Sequence, residues 1–326
     1  MHVYKWKCDW ANKVIIEKKQ SYVNQYRIEE YYYESGREAM FDLIKTMFAA
    51  RMIDKILLPA YVGWSSKEGS GIFDPLSKIH GIYVEYYKMT DKLEVDYRSL
   101  VNKMERYNGR FVVLLVNYFG FVDPNALKIS EVVKKKSGWL VEDNAHGFFT
   151  YHNTTKFFSD ATFFSIHKMF PFKKGGSLVI RNECLKKLQY RGSIDCDKEF
   201  NPWRYSISEI AERRLQNYID LNKIITQAQC EDKFIPLKCI KDMGDAIPQT
   251  FPLRIQKGNR DEIYDKMNKS GYGVVSLYHT LIEPLRCEEY ETSVALSKTI
   301  LNLPIHQDVK IEKYPDMINL LLELCE

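Results

Sequence analysis

No C-x-x-C pair occurs in the 326 residues. The seven cysteines, Cys8, Cys184, Cys196, Cys230, Cys239, Cys287 and Cys325, are odd in number and scattered. Neither a disulfide framework nor a cysteine-rich zinc site is expected, and a reducing cytoplasm is the expected compartment. There is no H-E-x-x-H and no G-x-S-x-G, so two common hydrolase signatures are excluded. Gly69 and Gly71 do not form G-x-G-x-x-G after a strand, and no dinucleotide fingerprint is expected. The longest apolar run, Phe111 to Val116, has the length of a strand and cannot cross a bilayer. The opening MHVYKWKCDW is polar and lacks the apolar stretch of a secretory signal. The formal net charge of +4 is small for this length, so neither nucleic acid nor an anionic membrane is an expected partner.

What is present is an ordinary globular composition, 45% hydrophobic and 28% charged. The length suits one large domain plus a smaller one. Residues 36–50 have helical spacing, with Met40, Leu43, Met47 and Phe48 on one face. Strands are expected at 55–60, 81–87, 111–119, 139–143, 161–167 and 175–180, and helices at 65–79, 96–107 and 126–137. The first thirty residues show no clear pattern. Short apolar strands alternating with amphipathic helices predict an α/β fold, a mainly parallel sheet with helices on both faces. Residues 182–230 read as charged and helical, with the longest helix over 207–225. Residues 231–326 read as a smaller α+β domain, set against a large cofactor-binding domain over 1–230.

In open α/β sheets, ligands sit beyond the carboxyl ends of the strands. Two such ends carry chemistry. Asp143 closes the strand of LVEDNAH, with His146 three residues on; Ser165, His167 and Lys168 close the strand of FFSIHKMFPFKKGG. A lysine and a carboxylate at neighbouring strand ends are what pyridoxal-phosphate chemistry needs. The amine forms an imine with the cofactor aldehyde, and an ionised Asp keeps the pyridine nitrogen protonated. Taken singly, Asp143 could equally cap the next helix and Lys168 be solvated. Ser35, Gly36 and Arg37 stand just before a helix, where backbone N–H groups form an anion site.

A run of motifs resembles the DegT/DnrJ/StrS sugar aminotransferases of the fold-type-I pyridoxal-phosphate class. ESGREAM (34–40) resembles the segment that helps hold the cofactor phosphate, LLPAY (57–61) the proline-containing strand end, and NYFGFVDP (117–124) the H/N-x-x-G segment. VEDNAH, FSIHKMFPFKKGG and LSKTILNLPIHQDV (296–309) resemble later segments in the same order. The resemblance implies pyridoxal 5'-phosphate as cofactor, with Lys168 as the Schiff-base lysine and Asp143 on the ring nitrogen. It also implies His146 on the phenolic oxygen and Ser165 on the phosphate. Tyr61 or Trp64 would supply the flat partner of the ring. Arg37, where the family often has Thr, would bind phosphate or pair with Glu34 or Glu38. NPWRYSISEI (201–210) resembles a stretch that reaches a neighbouring subunit's site, which implies a homodimer with shared sites and Arg204 as a trans contact. The implied substrates are an amino-acid donor, glutamate by expectation, and a keto-deoxysugar acceptor linked to a nucleotide.

The chain departs from the family pattern in one place. Counted back from Gly175–Gly176, Lys168 stands where the family lysine stands; counted forward from Phe164–Ser165, it comes two residues early. A two-residue deletion reconciles the counts; without it, Phe170 takes the lysine position. Some family members carry His for the lysine and act as sugar dehydratases, which draws attention to His167. A dehydratase, and a non-catalytic relative acting as a binding or regulatory subunit, therefore stay open beside the aminotransferase. Lys173 and Lys174 are expected in a solvated loop or against an anionic substrate. His279 and His306 show no ligand spacing.

Overall fold

The computed structural model describes residues 29–192 and 200–326. In chain order, β1 (Glu29–Tyr33) leads into α1 (Gly36–Ala49). There follow β2 (Lys55–Pro59), α2 (Phe73–Ser77), β3 (Tyr83–Tyr87), α3 (Tyr97–Met104), β4 (Phe111–Val116) and α4 (Ala126–Lys135). Next come β5 (Trp139–Asp143), α5 (Phe148–Asn153), β6 (Ala161–Phe164), β7 (Gly176–Ile180) and α6 (Glu183–Lys186). The long α7 (Ile207–Gln227) precedes β8 (Phe234–Pro236), β9 (Thr250–Ile255), α8 (Arg260–Lys269), α9 (Glu291–Thr299), β10 (Ile300–Pro304) and α10 (Tyr314–Leu324).

Among the described residues, seven strands form one sheet in the order β1-β7-β6-β5-β4-β2-β3. β3, β2, β4, β5 and β6 run parallel, while β7 is antiparallel to both of its neighbours. All six residues of β4 are buried, so both faces of the sheet centre are covered. That is why FVVLLV carries no polar alternation. β8, β9 and β10 form a second, antiparallel sheet in the order β10-β9-β8. The architecture is the expected one, a mostly parallel sheet with helices plus a small second sheet, and all three strands of the latter lie past Cys230. The apolar core runs on between the two sheets, through Leu114, Tyr218 and Phe251, with the last two rings 4.5 Å apart.

Most elements fall within a few residues of expectation, and most of the differences lie at the site. The helix expected over 65–79 is helical only over Phe73–Ser77. Before it, Ser65 and Gly69 exchange backbone hydrogen bonds at 3.1 and 2.8 Å, closing a turn in which Gly69 has φ +66. The run FVVLLVNYF stops being strand at Val116, because the chain turns away through Tyr118–Gly120. ATFFSIH likewise leaves the sheet at Phe164 and makes a helical turn over Ile166–Lys168. β1 went unread. Its EEYYY pairs with β7 at the sheet edge, where tyrosines fit a half-buried pleat.

Candidate active site

The crevice opens where neighbouring strands part. β5 pairs with β4 up to Asp143 opposite Val116, and with β6 up to Asp143 opposite Phe163. Beyond these pairs β4 turns off through Tyr118–Gly120, and β6 ends at Phe164 and passes into the Ile166–Lys168 turn. Asp143 is thereby left at the floor of a cavity of about 840 Å³, whose lining also includes His146, Ser165 and Lys168. Phe170 is fully buried in an aromatic cluster with Phe148 and Phe149, and does not line the cavity. The structure thus offers Lys168 to the cavity and keeps Phe170 in the core. The Gly175–Gly176 turn sets the distance, with His167 N–H donating to the Gly175 carbonyl at 3.3 Å.

Lys168 Nζ lies 3.1 Å from Nε2 of His146. His146 Nδ1 in turn accepts the backbone N–H of Phe119 at 3.3 Å. Burial pushes the Lys168 amine below its ordinary pKa, partly offset by the charges of Asp143 and Glu68 and reinforced by Arg37. Burial pushes the Asp143 carboxyl up to about 6, against the Ala145 N–H and the Lys168 charge, which both favour the anion. Burial, with Lys168 beside it, holds the His146 ring well below 6.5 and therefore neutral. A carboxylate, an amine of lowered basicity and a neutral imidazole thus share one wall.

The other end is built for an anion. Ser35 caps α1: its Oγ accepts from Glu38 N–H at 3.3 Å, and Glu38 Oε2 accepts from Glu34 N–H at 3.2 Å. The N–H groups of Gly36 and Arg37 belong to the first turn and have no carbonyl partner within the helix. Gly36 itself lies against Ser165: a Cβ on it would come 2.5 Å from Ser165 Oγ. Gly176 permits the approach from below: a Cβ there would stand 2.2 Å from the Ser35 carbonyl carbon. A helix N-terminus with a hydroxyl beside it is a phosphate-sized anion site.

No protein-family model matches the sequence, and no curated protein matches it. Solved structures do. A DegT DnrJ EryC1 StrS aminotransferase from Brucella abortus superposes with a TM-score of 0.69 at 12% identity, covering 91% of this chain and 86% of the other. The fold is that of the sugar aminotransferases. NtdA from Bacillus subtilis with bound cofactor PMP gives 0.69 at 15% identity, over 90% and 73% of the two chains. DesI in the presence of its TDP-sugar product gives 0.68 at 14% identity, over 90% and 80%.

Within this aminotransferase fold the remaining expected residues divide. Trp64 lines the cavity and is 42% exposed, free of the core. Tyr61 does not line it: fully buried, it donates to the Leu277 carbonyl at 3.1 Å and meets Tyr118 and Tyr278 edge-on. Of the two aromatics, only Trp64 lines the cavity. Arg37 lines the cavity and donates to the Glu68 carbonyl at 3.0 Å, rather than to the Glu34 or Glu38 carboxylate. Arg204 is exposed and not part of this chain's cavity lining. Lys174 pairs with Glu34 at 2.8 Å, and His167 Nδ1 is tied to the Gly175 carbonyl at 3.0 Å. His279 lines the cavity, its Nδ1 3.1 Å from the Ser276 carbonyl, whereas His306 is buried elsewhere.

Two contributors were not legible in the sequence. Phe119 acts through its backbone, which no side-chain pattern reports. Tyr278 packs on Gly63, where a Cβ would stand 1.9 Å from its ring, and reaches the cavity from a distant part of the chain. Among the described residues no cluster of His, Cys, Asp or Glu could hold a metal, and no helix is long and apolar enough to cross a membrane.

Proposed function

We propose that this chain is a pyridoxal-phosphate-dependent aminotransferase of the DegT/DnrJ/StrS type. It would move an amino group from an amino acid, glutamate by expectation, to the keto group of a nucleotide-linked deoxysugar. The observation that carries the reading is Lys168 Nζ standing 3.1 Å from His146 Nε2 in a cavity that also contains Asp143. The residues present fit the cofactor: a buried carboxylate at the floor, an amine of lowered pKa beside it, and a capped helix N-terminus with Ser165 at the far end.

When bound, pyridoxal phosphate would supply an aldehyde carbon for amines and a ring that draws electrons from the substrate carbon. Asp143, still mostly ionised at neutral pH, would hold a proton on the ring nitrogen. His146 would hydrogen-bond the phenolic oxygen. Ser35, Gly36, Arg37 and Ser165 would bind the phosphate through backbone and side-chain donors. Trp64 would cover the ring. Lys168 Nζ would take and give back the proton exchanged as the amino group moves. His167 also lines the cavity, but it is Lys168 Nζ that stands 3.1 Å from His146 Nε2, which favours lysine over histidine in this role and hence the aminotransferase over the dehydratase. The likeness to DesI, described with a TDP-sugar product, motivates the acceptor class.

A homodimer with shared sites completes the proposal, with Arg204 reaching the phosphate of the neighbouring subunit. The chain would act in the cytoplasm. The deciding experiment is spectroscopic. Purified protein incubated with pyridoxal phosphate should turn yellow, and borohydride should trap the cofactor on the peptide containing Lys168. Absence of trapping at Lys168 would leave a binding or regulatory relative in its place.

A further inference from the structure

The turn Tyr118–Gly120 holds a conformation that L-residues rarely adopt: Phe119 has φ 57, and Gly120 follows with φ 87. It is clamped from the side of the second sheet. The Phe119 carbonyl accepts Gln249 N–H at 2.7 Å, just ahead of β9, and the Gln249 carbonyl accepts Arg214 Nη1 at 3.4 Å from α7. Gly120 leaves no slack, since a Cβ would come 2.9 Å from the Ile247 carbonyl oxygen and 3.0 Å from that of His146. The result is that the Phe119 N–H is aimed at His146 Nδ1 from 3.3 Å, with the two rings nearly parallel at 12°.

A backbone N–H can only donate, so Nδ1 must carry a lone pair. A neutral imidazole then bears its proton on Nε2. That N–H faces Lys168 Nζ at 3.1 Å. An ammonium there would set donor against donor, whereas a free amine accepts. Attack on an aldehyde requires the free amine. We propose that Phe119, through its backbone N–H, is a positioning residue that fixes His146 as an Nε2–H donor and so holds the Lys168 amine in its neutral, nucleophilic form. The consequence for catalysis rests on the aminotransferase reading, while the tautomer itself does not. Burial acts in the same direction on both side chains.

The test is nuclear magnetic resonance of the full chain carrying 15N-labelled histidine, freed of cofactor at neutral pH, with the His146 signals assigned through His146→Gln. The expected spectrum shows Nε2 protonated and Nδ1 bare. A proton on Nδ1, or on both nitrogens, overturns the proposal. Gly120→Ala should displace the turn and lose the single tautomer, and a variant that folds yet keeps pure Nε2–H also overturns it. Should Gly120→Ala not fold, trapping rates decide. His146→Phe should slow borohydride-trapped attachment of pyridoxal phosphate about tenfold or more, and His146→Gln should recover most of that loss, because an amide can accept from Phe119 and donate to Lys168. Equal rates in all three proteins reject the role. No trapping even in the unaltered chain, beside an Nε2–H spectrum, rejects the cofactor reading and leaves the tautomer lock standing.

Discussion

Gly36 and Ser165 are so close that a Cβ on the glycine would come 2.5 Å from the serine Oγ and 2.8 Å from the carbonyl oxygen of Phe164. The hydroxyl can rotate away, but the carbonyl belongs to the end of β6 and cannot. The start of α1 and the end of β6 therefore meet as one anion-binding corner. Gly36→Ala should push them apart and weaken pyridoxal phosphate about tenfold or more, since several backbone donors shift together. The rest of α1 should keep its helix. Titration by absorbance, with circular dichroism as the control, checks both. Unchanged affinity would remove this corner from the phosphate site.

Lys168 and Phe170 differ in what they touch, and their substitutions should separate cleanly. Lys168→Ala should abolish turnover and borohydride trapping while leaving the fold intact. Phe170→Ala empties a fully buried ring position against Phe148 and Phe149, and should cost roughly 3–5 kcal/mol of stability. At low temperature the folded fraction of that variant should still trap cofactor at Lys168. Trapping that persists in Lys168→Ala would remove Lys168 from the role.

Asp143 is held at the cavity floor at a cost in stability. Its pKa rises from 3.8 to about 6 on folding, so the folded chain binds a proton that the unfolded chain does not. The stability this contributes is complete below pH 3.8 and is lost as pH rises through 6, a difference of roughly 3 kcal/mol. Asp143→Asn should therefore gain stability over the parent as pH goes from about 4 to 7, while losing activity. Thermal melting of both cofactor-free proteins across that range checks the sign. A gap that shrinks with rising pH would contradict it.

Arg204 provides a test of shared sites. If it completes a neighbouring subunit's cavity, Lys168→Ala and Arg204→Ala chains should each be impaired alone. Mixed and reassociated, they should recover part of the activity, because one site in each hybrid pair is then intact. Absence of recovery in a demonstrated hybrid would confine the site to a single chain.

The sequence alone determined the alternation of strands and helices, because burial on one or both faces imposes a period on a short stretch of chain. For the same reason it brought out Asp143 and Lys168: each is a charged residue at the end of an apolar run, and that contrast is local. Only the tertiary structure decided what converges on them. The strand order that makes β5 and β6 neighbours depends on pairing across the chain, which no local period encodes. The choice of Lys168 over Phe170 followed from where the chain leaves β6 and turns. Phe119 entered through its backbone, and Tyr278 through packing on Gly63 from more than two hundred residues away. Tyr61 and Trp64 are three positions apart and equally aromatic, yet one is sealed in the core and the other faces the cavity. Composition carries no information about that difference, because burial is settled by what the rest of the chain places on top.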